Sequence, residues 1–317
     1  MKIRGSLPAL LLAALSLALT GCATQQVAQL QQQQPAQLAQ KIGALQVPFI
    51  AQEDYECGPA SLAMVMQAAG LNISAETLVP QVYLPARKGS LQVEMLAATR
   101  RQGLVPYTLE PRLQDVLQEV SAGHPVLVFQ NLSLPVYPVW HYAVVIGYDR
   151  DRNVMLLHSG RTPQMEMSLY AFERTWARGN YWAMLALPPD KLPATLDARN
   201  AALAIASLEP LNTAAAQTAY TTALQRWGDN PNLLLGLGNT LYAQHDLTGA
   251  ATHYRRAVDA NPAFADGWNN LAQVLLEQGN TEQALAAIQR AVQLGGPRLA
   301  QYQSLQSEMV PSTPVPQ

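Results

Sequence analysis

The hydrophobic pattern of the chain changes character four times. Lys2 and Arg4 precede an apolar run from Leu7 to Leu19 that ends in small residues. Residues 23–44 follow, with the Gln-rich and nearly uncharged stretch QQVAQLQQQQPAQLAQ; it shows no consistent apolar face, which predicts a tether, with a short surface helix as the alternative. From Val47 to Pro189 helical and strand periods mix. In CGPASLAMVMQAAG, Leu62, Val65, Met66 and Ala69 recur at helical spacing and predict a helix with one buried face. Gly58 and Pro59 suit its first turn, where proline lacks only an N–H that would be unpaired anyway. PVLVFQN, residues 141–148 (HYAVVIGY) and NVMLLHSG read as strands, and YDRDRN between the last two as a turn. After LPPDKLPATLD everything reads as helix until the tail VPSTPVPQ, predicted to be disordered.

The helical half repeats itself. Leu234, Leu237, Gly238, Leu241, Ala250, Tyr254 and Ala257 are followed about 34 residues later by Trp268, Leu271, Ala272, Leu275, Ala284, Ile288 and Ala291. Small residues at these positions let antiparallel helices approach while the aromatic and leucine side chains fill the space between them. The pattern is that of tetratricopeptide repeats, clear over 231–264 and 265–297, with a degenerate copy around Ala216, Tyr220 and Ala223. Such arrays offer a groove for a protein or peptide partner.

The N-terminal pattern is that of a secretory signal, too short to span a bilayer well. LTGC, at 19–22, resembles the bacterial lipoprotein cleavage box, which implies removal of 1–21 and lipidation of Cys22; Ala23 after the Cys implies sorting to the outer membrane, facing the periplasm. Loss of Lys2 and Arg4 would move the formal net charge from −2 to −4. No basic surface follows, so nucleic acid is not expected as a partner. A chain of 317 residues with 49% hydrophobic residues has the material for about two buried cores. Nothing in the residue pattern calls for a cofactor or a metal.

The only cysteines are Cys22 and Cys57. With the first lipidated, Cys57 has no partner in its own chain and is a candidate reactive thiol. At a helix N-terminus the dipole favours the thiolate, while Glu53, Asp54 and Glu56 oppose it. A histidine should supply the balance. His245 and His253 fall in the repeats, His124 in a turn, and His158 at the end of a strand, whereas His141 opens a strand. A nucleophile at a helix mouth and a base on a strand are the two halves of a Cys/His site.

QEDYECGPASLAMV followed by HYAVVIGYD resembles the bacteriocin-processing, double-glycine family of papain-like cysteine peptidases, and YAFERTWARGNYWAMLALPP resembles that family's closing helix and strand. The resemblance implies a papain-like α+β domain over 47–189, with Cys57 as nucleophile, His141 as general base and Gln52 as an oxyanion donor together with the Cys57 N–H. Gln52 stands one residue closer to the Cys than is usual in that family. Where the family has an orienting Asp, this chain reads HSG, which leaves His158 or Ser159 to accept the His141 ring N–H, with Asn131 and Asp149 as further candidates; Asp149 reads better as a turn residue. The family's transport-linked members add membrane spans and an ATPase; past the signal this chain has no apolar run of about 18 residues and no GxxxxGK[ST] loop.

The expected organisation is therefore a signal peptide (1–21), a lipidated Cys and tether (22–46), a papain-like peptidase domain (47–189), an all-α tetratricopeptide-repeat domain (190–308) and a tail (309–317). The expected activity is hydrolysis of a periplasmic protein or peptide through a thioester. The alternatives are a non-catalytic peptide-binding adaptor, and a Cys/His amidase or acyltransferase acting on the cell wall.

Overall fold

The computed structural model describes residues 24–52 and 56–309. The signal, Cys22 and the tail from residue 310 lie outside the described residues, as do Glu53 and Asp54.

Seven antiparallel strands form the central sheet: β1 (Lys41–Ile42), β4 (Val105–Thr108), β5 (Val126–Asn131), β6 (Trp140–Asp149), β7 (Val154–Ser159), β8 (Thr162–Ser168) and β9 (Ala183–Leu187). Their order is β4-β9-β5-β6-β7-β8, with β1 also paired to β6. A short hairpin, β2 (Tyr83–Leu84) and β3 (Gly89–Ser90), stands apart. Strand alternation splits the core in two. Leu127, Tyr142, Val144, Ile146, Met184 and Ala186 face one layer, packed with α2 (Cys57–Ala68), α3 (Ala75–Val82) and α4 (Gln92–Arg101). Val126, Val128, Ala143, Val145, Ala183 and Leu185 face the other, packed with α1 (Gln25–Gln33), α5 (Leu113–Ser121) and α6 (Leu169–Arg178).

Two expectations need correction. Helix α2 does not bury a single face: every residue from Gly58 to Met66 is buried, because the sheet covers one side and α3 and α4 cover the other. The Gln-rich segment forms the short surface helix of the alternative reading rather than a tether, and that helix is docked. Val27 and Leu30 fall on one side of α1 and, with Leu38, join the core. The Glu173 carboxylate accepts from the N–H groups of Gln26 (3.0 Å) and Val27 (2.8 Å), satisfying donors that a helix start otherwise leaves unpaired. The glutamines are used as well: Gln26 receives Leu113 N–H and donates to the Pro111 carbonyl, while Gln31 accepts from Tyr170 Oη.

The helical array comprises α7 (Ala198–Ala206), α8 (Thr213–Trp227), α9 (Pro231–Ala243), α10 (Leu247–Ala260), α11 (Ala265–Glu277), α12 (Thr281–Leu294) and α13 (Leu299–Met309). Close approach explains its glycines. A Cβ on Gly236 would fall 2.1 Å from Tyr220 Cζ, and one on Gly238 would fall 2.4 Å from Tyr254 Cε1. The last helix covers the array with Tyr302, Leu305 and Met309.

The array is not separated from the α+β domain by an open link. Ala201, Ile205, Ala216, Tyr220 and Leu233 belong to the same apolar cluster as β4 and α5. Glu119 of α5 fastens the connection. Its buried carboxylate accepts from the N–H groups of Ala194 (3.0 Å) and Thr195 (2.7 Å), from Thr195 Oγ1 (2.7 Å) and from His124 Nδ1 (2.8 Å). Those bonds hold its carboxyl below the ordinary range even though burial works the other way.

Candidate active site

Strand β6 is ten residues long and its ladder with β7 stops at Val144 opposite His158. Tyr142 therefore has no β7 partner on that edge. In an antiparallel ladder a residue's N–H and C=O point to the same side, and three side chains gather on this edge of Tyr142. Ser61 Oγ donates to its carbonyl at 3.2 Å, and Gln52 Nε2 lies 3.4 Å from the same oxygen. The Cys57 sulfur faces its N–H. Ser61 lies one helical turn after Cys57 on α2, so the two reach the same strand together. Cys57 is thus set against the residue that follows His141.

Gln52 is locked in place. Its backbone N–H donates to the Gly160 carbonyl and its Oε1 accepts from Gly160 N–H, both at 3.1 Å, while Nε2 also reaches Ser61 Oγ at 3.1 Å. The amide is engaged with the fold in this geometry; the 3.4 Å contact to Tyr142 is the one that a substrate oxygen could most easily replace.

His141 Nε2 lies 2.8 Å from Ser159 Oγ. His158 does something else: its Nε2 meets the Val47 carbonyl at 3.1 Å, its Nδ1 accepts from Gln164 N–H at 3.2 Å, and Phe49 packs edge-on against its ring. Both of its nitrogens are thus committed to backbone groups other than His141. Asp149 accepts from Arg152 N–H at 3.0 Å and pairs with Lys41 at 3.2 Å, holding the β6–β7 turn. Asn131 is buried, and its Oδ1 accepts from the N–H groups of Ser133 (3.0 Å) and Val139 (2.9 Å), closing the β5–β6 loop. Of the four residues considered as partners for the His141 ring, the structure brings Ser159 to it.

Electrostatics favour neutral groups. Burial pushes the Cys57 thiol up, opposed by the N–H groups of Tyr142, Gly58 and Cys57 itself. Burial also pulls His141 down to about 4. At neutral pH the imidazole is therefore an available base, and the thiol is not ionised by the helix terminus alone. The expectation that the dipole would depress the thiol is outweighed by desolvation.

Three contributors were not anticipated from sequence. Ser61 is a polar residue among the otherwise apolar buried positions of its helix, and that contrast was the available signal. Ser90 crowds Gly58: a Cβ there would fall 2.2 Å from Ser90 Oγ, so only glycine fits beside Cys57. Gln130, opposite His141 across the ladder, is buried and donates to Thr175 Oγ1 at 2.7 Å.

The cysteine stands at a helix mouth and the histidine on a strand of an α+β domain, the two halves of a Cys/His site. Residues 44–184 match the Peptidase_C39 like family, and residues 201–263 and 235–298 match tetratricopeptide repeats. The chain thus carries a Peptidase_C39-like domain followed by C-terminal tetratricopeptide repeats. Among solved structures, a putative C39-like peptidase from Bacillus anthracis is similar at 17% identity, covering 45% of this chain and 96% of that one with a TM-score of 0.38. The TPR2B domain of yeast Sti1, in a complex with pHsp70, is similar at 15% identity, covering 35% and 92% with a TM-score of 0.32. An O-GlcNAc transferase mutant from Thermobaculum terrenum is similar at 27% identity, covering 36% of this chain and 23% of that one, TM-score 0.32. No curated protein matches the chain.

Proposed function

We propose that the protein is a lipid-anchored cysteine peptidase of the bacterial envelope, cutting peptide bonds in a periplasmic protein while its repeats recruit the substrate or a partner. The observation that carries this reading is the approach of Cys57 to the backbone beside His141, within a Peptidase_C39-like domain. In the proposed mechanism His141 takes the Cys57 proton and the thiolate attacks the peptide carbonyl. The Cys57 N–H, with a Gln52 N–H released from Tyr142, meets the oxyanion, and water then hydrolyses the thioester. Ser159 orients the imidazole without supplying a charge. Anchoring rests on the signal pattern and LTGC. Comparing envelope protein N-termini in cells carrying the natural chain or Cys57→Ala tests the activity. New N-termini that depend on Cys57 are expected, and their absence refutes it.

Two observations favour a second reading. His141 faces a hydroxyl where a carboxylate would stabilise the imidazolium, and the Gln52 amide is occupied. A peptide-binding adaptor on a peptidase fold would have these features, and it predicts that Cys57→Ala leaves both envelope N-termini and partner binding unchanged.

A further inference from the structure

The loop between β5 and β6 reads Leu132 to Val139, LSLPVYPV, and runs into Trp140 and His141. It contains no charged residue. Leu134, Val136, Tyr137 and Trp140 are each more than half exposed, and Val136 and Tyr137 more than three quarters. The exposure is built rather than loose. The buried Asn131 carboxamide ties both ends of the loop, Tyr137 N–H donates to the Leu134 carbonyl at 3.1 Å, Arg178 Nη1 holds the Ser133 carbonyl at 2.8 Å, and Trp140 stacks on Phe129. The fold spends a buried polar group on holding apolar side chains in solvent, immediately beside the candidate base.

The course of the chain says what covers them. Helix α1 ends near the β6–β7 turn, where Gln31 donates to Asn153 and the following segment meets Arg150 and Asp151. It starts at the opposite end, where Gln26 binds Pro111 and Leu113 just past β4. Strand β4 ends at Thr108 opposite Met184 of β9, and β9 starts beside Val128 of β5, so this is the end where β5 stops and β6 begins. Along α6 the direction is the same: Gln31 lies at Tyr170, Val27 at Glu173, and the next turn leads to Arg178 under the loop. Thr24, the first described residue, therefore lies at the end of the sheet that carries the loop and His141. In sequence Cys22 is two residues before Thr24, a separation that spans at most about 7 Å.

We infer that the Leu132–Trp140 loop is a second membrane contact, seated in the interfacial layer of the bilayer that holds the Cys22 lipid, so that the Cys57/His141 site lies near the membrane surface. This rests on the proposed lipid anchor. Docking of α1 removes the spacer that would otherwise let the domain swing away, and the short residual linker brings loop and lipid to one plane. Aromatic residues with apolar neighbours suit that layer. Substrates would then be segments lying close to the membrane, such as the first residues beyond a membrane-spanning or lipid-anchored stretch.

The test uses the full-length, lipidated chain in vesicles of phosphatidylethanolamine and phosphatidylglycerol, with plain or brominated acyl chains. Tryptophan emission should fall in brominated vesicles, and Trp140→Phe should lose most of that quenching. Val136→Ser/Tyr137→Ser should weaken it while thermal unfolding stays unchanged, which separates loss of contact from loss of fold. Lipidation is read independently from the mass of the N-terminal peptide. A lipidated chain whose emission is identical in both vesicles overturns this inference and leaves the anchor standing; a chain without lipid overturns both. Emission that responds to an apolar peptide but not to bromine assigns the loop to substrate, and self-association abolished by Val136→Ser/Tyr137→Ser assigns it to a second copy. Either result overturns the membrane contact.

Discussion

Ser159 Oγ sits 2.8 Å from His141 Nε2, on the strand beside it, and this hydroxyl stands where an orienting carboxylate would be expected. A neutral acceptor fixes the ring but does little to stabilise a developing imidazolium. Ser159→Ala should lower turnover several-fold, and Ser159→Asp should raise it and shift the pH–rate profile toward a more basic imidazole. His158→Ala should lower the melting temperature, through loss of its bonds to Val47 and Gln164, with no change in the shape of that profile. If His158→Ala alters the profile and neither Ser159 variant does, the assignment is reversed.

The thiol gives a second test. With His141 present, proton transfer between neighbouring groups can offset the burial of Cys57; with His141→Ala only three backbone N–H groups remain to do so. Iodoacetamide alkylation of His141→Ala should therefore titrate above the ordinary thiol value of about 8.5, and the natural chain should react faster at pH 7. Superimposable rate profiles would show that the two residues are not coupled.

Stability should fall on mild acidification. His141 is held at about 4 and His158 is also lowered, both chiefly by burial. Between pH 6.5 and 4 the unfolded state binds more protons than the folded one, so stability rises with pH across that window and is lost as pH falls through it. Discounting for partial exposure, the His141 contribution is about 1–2 kcal/mol. Chemical denaturation at pH 7 and pH 5 should show the loss, and His141→Phe should reduce it. A flat pH dependence in the natural chain would contradict the burial of both rings.

Glu119 joins the two halves. Glu119→Ala would leave the N–H groups of Ala194 and Thr195 and the His124 ring without their acceptor, at a cost of about 3 kcal/mol. Proteolysis should then nick the 189–197 connection first. Because Ala201, Ile205 and Leu208 are buried against the α+β domain, truncation after Pro189 should yield aggregation-prone protein rather than an independent peptidase domain. A soluble, monomeric truncation with unchanged melting behaviour would refute the shared core.

Gly58→Ala offers a narrow probe of the helix mouth. The added methyl meets Ser90 Oγ and Cβ, so the first turn of α2 must shift. A loss of about 1–3 kcal/mol and slower alkylation of Cys57 are expected. The double variant Gly58→Ala/Ser90→Gly should recover much of both.

Much of this protein is local and therefore legible in the sequence. The helix at Cys57 with Pro59 in its first turn, the strand over 141–148, the turn held by Asp149 and the paired repeat helices all follow from periodicity, turn chemistry and small-residue spacing within a few tens of residues. Resemblance added the pairing of Cys57 with His141. What tertiary structure decided depended on surfaces that no single segment contains. The Gln-rich segment became a docked helix because Glu173, some 146 residues away, receives its first N–H groups and the sheet-side core accepts Val27 and Leu30. The choice between His158 and Ser159 turned on the sheet: adjacent residues of a strand point to opposite faces, so only one of the two could reach the His141 ring. Whether a helix terminus ionises its thiol depended on how much water the assembled core removes, and desolvation is a property of the packed whole that residue spacing cannot express.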